Sequence, residues 1–204
     1  CAVGILNAPD PAFRPAADSR IPYPYTPDTH VSAKRQNKRA LQERLGLAPD
    51  DTAPIFYWPS RLDPVQKGCQ LLARILYDVI SSYWEQNLQV AVIANGSFQK
   101  VFHEIADFHG FRNRLAVCNF DEGLSHLAYA ASDFVLIPSL FEPCGLPQMI
   151  SALYGSLPIA HDTGGLHDTV EPLDLGHGAG NGFRFEVYDT GGLRWAIDQA
   201  MAFY

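Results

Sequence analysis

The chain has 204 residues, 47% of them hydrophobic and 12% aromatic, with 18% charged and a formal net charge of −7. That much apolar material builds a substantial core, which excludes a disordered chain, and the acidic balance speaks against wrapping nucleic acid or coating an anionic membrane. No run of about 18 apolar residues is present to span a bilayer, and Cys1, Cys69, Cys118 and Cys144 form no C-x-x-C pair, which argues against a zinc site or a disulfide scaffold and for reduced cytosolic thiols.

Residues 1–31 read as an irregular lead-in, with prolines at 9, 11, 15, 22, 24 and 27. No signal-peptide pattern opens the chain, and it does not start with Met; the expectation is a piece of a longer protein. Ser32 is the expected cap of a helix over "AKRQNKRALQERLGL", with Leu41 and Leu45 on one face and Gly46 as its stop. From there strands and helices alternate. "IFYWPS" (55–60) is a strand, then the loop "RLDPVQKG" and a helix of about four turns from Cys69. "LQVAVIA" (88–94), "LAVCNF" (115–120), "FVLIP" and "LPIAH" follow as strands, each with a helix after it. "GFRFE" reads as an edge strand and "TGGLRWAIDQAMAFY" as a closing helix. Continuously apolar strands separated by helices indicate a doubly wound α/β domain over 32–204 with a mostly parallel, Rossmann-like sheet. Such sheets bind ligands beyond the carboxyl ends of their strands, so the turns there carry the functional reading.

In "SRLDPVQKG", Arg61 and Lys67 stand six residues apart before a helix, with Gly68 between them and the helix. A forked guanidinium and a compact ammonium suit a diphosphate; from spacing alone, two solvated loop charges are the simpler reading. "IANGSFQ" reads as an ordinary tight turn, with an approach of its backbone to a ligand as the alternative. In "CNFDEGLS", Phe120 offers an apolar wall for a nucleobase, and Asp121 is either a ligand contact or the cap of the next helix. "SLFEPCGLPQ" leaves a buried strand and at once presents Glu142, Cys144 and Gly145 before a helix mouth that suits an anion. Glu142 fits three roles: accepting hydroxyls of a neutral sugar, facing a cationic transition state, or serving as a first-turn helix acid. "AHDTGGLHDTV" sets Thr163-Gly164-Gly165 before another helix. Its two His-Asp pairs suggest a metal or an acid/base pair, but adjacent residues point to different sides and no second ligand set at zinc spacing is present, so no metal is expected.

"SRLDPVQKG", "PSLFEPCGLPQ" and "TGGLHDTV", in this order and separation, resemble the bacterial glycogen synthase and plant starch synthase family of retaining two-domain GT-B glycosyltransferases. The resemblance runs from about Ala53 to the C-terminus. A weaker likeness to the family's Asn-Gly-Ile-Asp segment lies in "VGILNAPDPAF". It implies the C-terminal, donor-binding domain of an α-1,4-glucan synthase that moves glucose from ADP-glucose or UDP-glucose to a glucan end with retention, without metal or other cofactor. Arg61, Lys67 and Glu142 would be the catalytic groups: the two cations on the diphosphate, the carboxylate on the glucosyl hydroxyls. Cys144, Gly145, Leu146, Pro147 and Gln148 would line sugar and phosphate through backbone groups, Thr163 and Gly164 would border the phosphates, and Phe120 and Asp121 the base. The departing diphosphate would itself help deprotonate the incoming 4-hydroxyl. The resemblance further implies a soluble protein of a bacterial cytoplasm or a plastid.

The chain departs from the family's pattern in places. Pro147 stands where a threonine is usual and lacks an N–H; Ile150 stands where the wider class has a second acid; "ANGS" replaces a Gly-Ala-Gly-Asp turn; His161-Asp162 replace an arginine pair. The family's N-terminal domain, with its Lys-x-Gly-Gly loop and acceptor cleft, is absent from these residues, so the expected partners are a nucleotide-sugar directly and an α-glucan through that domain, and the isolated chain is expected to transfer little or no sugar. Two rival readings remain: another retaining GT-B transferase of the sucrose or trehalose type, and a non-catalytic sugar-binding module.

Overall fold

A computed structural model describes residues 7–174 and 176–204. Cys1 and the start of the "VGILNAPDPAF" segment lie outside the described residues. Helix α1 (His30–Leu45) is followed by β1 (Ile55–Trp58), α2 (Cys69–Ser82), β2 (Gln89–Ile93), α3 (Gln99–Phe108), β3 (Leu115–Cys118) and α4 (Glu122–Ala131). Then come β4 (Phe134–Ile137), α5 (Pro147–Leu153), β5 (Leu157–His161), α6 (Gly164–Thr169), β6 (Phe183–Phe185) and α7 (Thr190–Phe203). The strands form one sheet in the order β3-β2-β1-β4-β5-β6, parallel at every junction. The fold is the Rossmann-like α/β arrangement expected, and "GFRFE" does supply an edge strand.

The apolar runs are continuous because alternate strand residues serve opposite faces. Phe56, Trp58, Val90, Val92, Phe134 and Leu136 pack on one side with α2, α3 and α7. Ile55, Tyr57, Ala91, Ile93, Val135 and Ile137 pack on the other with α1, α4 and α5. Phe56, Tyr57, Trp58 and Phe134 are among the largest side chains fully shielded from solvent, each contributing about 2–3 kcal/mol by leaving water.

Some boundaries differ from expectation, for local reasons. α1 starts at His30 with Thr29 as its N-cap residue, not Ser32; Ser32 sits in the first turn and its Oγ donates back to the Thr29 carbonyl at 3.3 Å. Gly46 does stop the helix, and the Leu47 N–H closes on the Gln42 carbonyl at 2.9 Å. β1 ends at Trp58 because Pro59 has no N–H for the ladder and Trp58 Nε1 turns to the Ser60 carbonyl at 2.7 Å.

Residues 7–29 of the proline-rich lead-in form no helix or strand, yet the segment is anchored. Asp18 is buried against α4 and α5: its Oδ2 accepts from His126 Nδ1 at 2.8 Å and from the Tyr154 hydroxyl at 2.5 Å. Phe13 stacks on His126 with ring centroids 4.4 Å apart.

Candidate functional site

The sheet order reverses at β1 and β4. The chain goes outward from β1 through β2 to β3, then returns to β4 on β1's other side. A crevice forms beyond the carboxyl ends of strands at such a switch point. The two loops entering it here are 59–68, after β1, and 138–146, after β4.

Each loop is held by its own sequence. Asp63 Oδ1 accepts from the Val65 and Gln66 N–H groups at 2.9 and 3.0 Å, folding "LDPVQK" into a turn; these backbone donors hold the Asp63 carboxyl below its ordinary range. The Leu140 N–H donates to the Gln66 carbonyl at 2.8 Å and docks the loops together. Gly68 has φ +77°, and a Cβ there would lie 2.0 Å from the Pro138 carbonyl oxygen, so only glycine permits this approach.

The result is a contact between two expected site residues. Lys67 Nζ donates to Glu142 Oε2 at 2.5 Å, with side chains only 14% and 11% exposed. Ser139 Oγ donates to the same oxygen at 3.2 Å. His161 Nδ1 meets the Ser139 carbonyl at 2.8 Å; a carbonyl only accepts, so Nδ1 carries the proton. His161 is buried between Phe185 and Tyr188, and burial raises the Tyr188 phenol. The sequence offers His161 as a metal ligand or as half of an acid/base pair, and it gives Ser139 and Tyr188 no role. Ser139's position three residues before Glu142 was its one available signal.

The Thr163-Gly164-Gly165 turn packs on the other side of this loop. The Gly165 N–H donates to the Glu142 carbonyl at 2.9 Å. A Cβ on Gly164, whose φ is +47°, would come within 2.3 Å of that carbonyl oxygen, and one on Gly165 within 2.0 Å of the Cys144 carbonyl oxygen. Gln148 is buried, and its Nε2 donates to the Cys144 and Gly145 carbonyls at 3.1 and 2.8 Å and to Thr169 Oγ1 at 3.0 Å. Its side chain therefore braces the loop from beneath, leaving backbone to face the crevice. Leu146 is exposed and Cys144 half-buried. Pro147 is the first residue of α5, where its missing N–H costs the helix nothing.

Arg61 is placed apart from the Lys67–Glu142 contact. With Phe120, Asn95, Gly96 and Ser97 it lines a neighbouring open cleft of about 750 Å³. Among the described residues its guanidinium has no ion-pair partner. Phe120 is half exposed, and its N–H donates to Asn95 Oδ1 at 3.0 Å. Asp121 is committed to capping: its Oδ1 accepts from the Leu124 N–H at 2.6 Å at the start of α4. The helices that follow β1, β2, β4 and β5 have no side-chain cap hydrogen bond, whereas α4 and α7 are capped by Asp121 and Asp189. Helix starts without a side-chain cap suit an anion. Among the described residues no three His, Cys, Asp or Glu side chains gather as a metal site, and no helix is long and apolar enough to cross a membrane.

Residues 42–202 match the family "Glycosyl transferases group 1". The chain belongs to that family. Within this glycosyl transferase family it is 39% identical to the glycogen synthase of Bacillus subtilis over 98% of its length, which is 41% of that relative. It is 40% identical to soluble starch synthase 3a of Oryza sativa over 96% of its length, 11% of that much longer protein. Among solved structures, the catalytic domain of starch synthase IV from Arabidopsis thaliana, bound to ADP and acarbose, superposes with a TM-score of 0.81 at 34% identity, over 95% of this chain and 40% of that one. The lipopolysaccharide glycosyltransferase WaaG, 15% identical with a TM-score of 0.65, shares the fold. The chain thus spans about two fifths of the bacterial glycogen synthases it matches.

Proposed function

We propose that this chain is the donor-binding half of an α-1,4-glucan synthase, holding ADP-glucose or UDP-glucose for transfer to a glucan with retention. One observation carries the reading: Lys67 and Glu142 meet at the β1/β4 switch point. A cation for a phosphate and a carboxylate for a sugar hydroxyl thus sit side by side. The likeness to glycogen and starch synthases, and to a starch synthase domain bound to ADP, supports the choice of substrate class. Arg61 and Phe120, in the adjoining cleft, take the nucleotide's phosphate and base. The fixed positive groups and uncapped helix amides favour the charge that develops on the leaving diphosphate, which accepts the proton of the attacking 4-hydroxyl. No metal or cofactor enters this scheme. The acceptor glucan and most of the transferase activity belong to the part of the protein not included in these 204 residues, whose setting is a bacterial cytoplasm or a plastid.

Calorimetric titration with ADP, UDP and their glucose conjugates tests this. Arg61→Ala is expected to weaken ADP binding at least about tenfold, since a charge-assisted contact contributes roughly 1.5–3 kcal/mol. Unchanged affinity counts against the donor site, and binding of malto-oligosaccharides without any nucleotide binding marks a sugar-binding module instead.

A further inference from the structure

The Lys67–Glu142 pair has a consequence for which ligand the site prefers. Each side chain is nearly shielded from solvent, and among the described residues neither has another ion-pair partner. Glu142 Oε2 holds two donors, Lys67 Nζ at 2.5 Å and Ser139 Oγ at 3.2 Å. On the donor-binding reading, on which this inference rests, Lys67 goes to the diphosphate. A shielded carboxylate that loses its cation is costly, because water does not replace what is taken away.

We propose that Glu142 is a specificity-determining residue that penalises a bare nucleoside diphosphate and is relieved by a nucleotide that carries a hexose. A free diphosphate draws Lys67 away and leaves Glu142 with the Ser139 hydroxyl as its side-chain donor. A sugar-bearing diphosphate draws Lys67 away equally, but its hexose hydroxyls donate to Glu142 in the ammonium's place. The exchange favours the loaded ligand by disfavouring the empty one, which is selectivity through an unsatisfied competitor. Arg61 stands outside this competition, because it has no carboxylate to surrender among the described residues. In turnover, the same device helps expel the spent nucleotide once the sugar has gone.

The experiment is a double-mutant cycle read by calorimetry on the 204-residue chain, with ADP and ADP-glucose as probes. Glu142→Gln is expected to tighten ADP binding about tenfold, the scale of a released close charge pair, and to shrink the preference for ADP-glucose over ADP by at least that factor. In a Lys67→Met background the same change is expected to bring no such gain. Glu142→Asp, one methylene shorter and still charged, serves in place of the Gln variant if that variant melts below the assay temperature, with a smaller gain of the same sign. A folded variant that binds ADP no tighter than the parent overturns the proposal. An equal gain without Lys67 overturns it too, since the effect is then plain repulsion between carboxylate and phosphate. A parent chain that binds neither probe removes the donor-site reading and this inference with it, whereas a parent that binds both with an unresponsive Glu142 removes the inference alone.

Discussion

Gly165 shows how closely the site is packed at the scale of a single residue. A Cβ there would overlap the Cys144 carbonyl at 2.0 Å, and the atom in the way is backbone, which cannot swing aside as a flexible side chain can. Gly165→Ala is therefore expected to cost about 2–4 kcal/mol, seen as a lower urea midpoint, and to weaken ADP binding by displacing the 142–146 loop. The motif containing this glycine was legible in the sequence, but its partner was not. Nothing in the spacing of "EPCG" and "TGGL" says that one turn lies on the other. Gln148 makes the same point: the resemblance puts its backbone against the ligand, and only the fold shows its side-chain amide buried beneath the loop, bonded to the Cys144 and Gly145 carbonyls. For Asp121 the sequence allows either a cap or a ligand contact, and the 2.6 Å bond from the Leu124 N–H assigns its Oδ1 to the cap.

At the scale of elements, α1 is fastened to the sheet by a charge that no helical pattern reveals. Lys38 is buried on α1, and its Nζ donates to Asp133 Oδ2 and to the Ala53 carbonyl, both at 2.7 Å. The same carboxylate oxygen accepts from the Ile55 N–H at 2.8 Å, so one pair joins α1 to the entries of β1 and β4. Removing the cation strands the carboxylate. Lys38→Met is expected to destabilise by about 3–5 kcal/mol, measured by chemical denaturation, with ADP affinity unchanged in the fraction that stays folded because the pair lies at the opposite ends of the strands from the crevice. Lys34 works similarly, donating to the Ala130 and Ser132 carbonyls at the end of α4 and to the Tyr154 carbonyl after α5 at 3.0–3.2 Å. Both lysines sit in a helix whose sequence, "HVSAKRQNKRALQERL", reads as largely solvated. Sequence shows that lysine is charged; it does not show that a long side chain has a buried acceptor within reach.

At the scale of the whole molecule, the lead-in is tied to the domain through Asp18. Burial alone would raise this carboxyl, but donors from the Tyr154 hydroxyl, the Arg20 N–H and His126 outweigh it and hold the carboxyl below the ordinary 3.8. A group depressed in the folded state stabilises the fold above its unfolded value, and that contribution drains away as pH falls through the lower folded value. Stability is therefore expected to decline below about pH 4, and Asp18→Asn is expected to flatten that acid limb while costing about 1–3 kcal/mol at neutral pH. Urea midpoints taken across the acid range measure both. The lead-in was recognisable as irregular from its prolines, yet its docking was not, because Phe13 and Asp18 find partners more than a hundred residues away.

The sequence by itself determined the alternation of strands and helices, the parallel sheet and the positions of the turns beyond its strand ends. These follow from local periodicity, from glycine and proline placement, and from motifs whose order is kept along the chain. Tertiary structure alone decided which charges meet. Arg61 and Lys67 are six residues apart and read as one cationic pair; the fold gives Lys67 to Glu142, 75 positions away, and sets Arg61 beside Phe120 in the next cleft. The reason is the crossover of the sheet. Placing β4 beside β1 brings two distant loops to one edge, and the direction each side chain takes there is fixed by backbone bonds such as Leu140 to Gln66, which exist only once the strands are side by side.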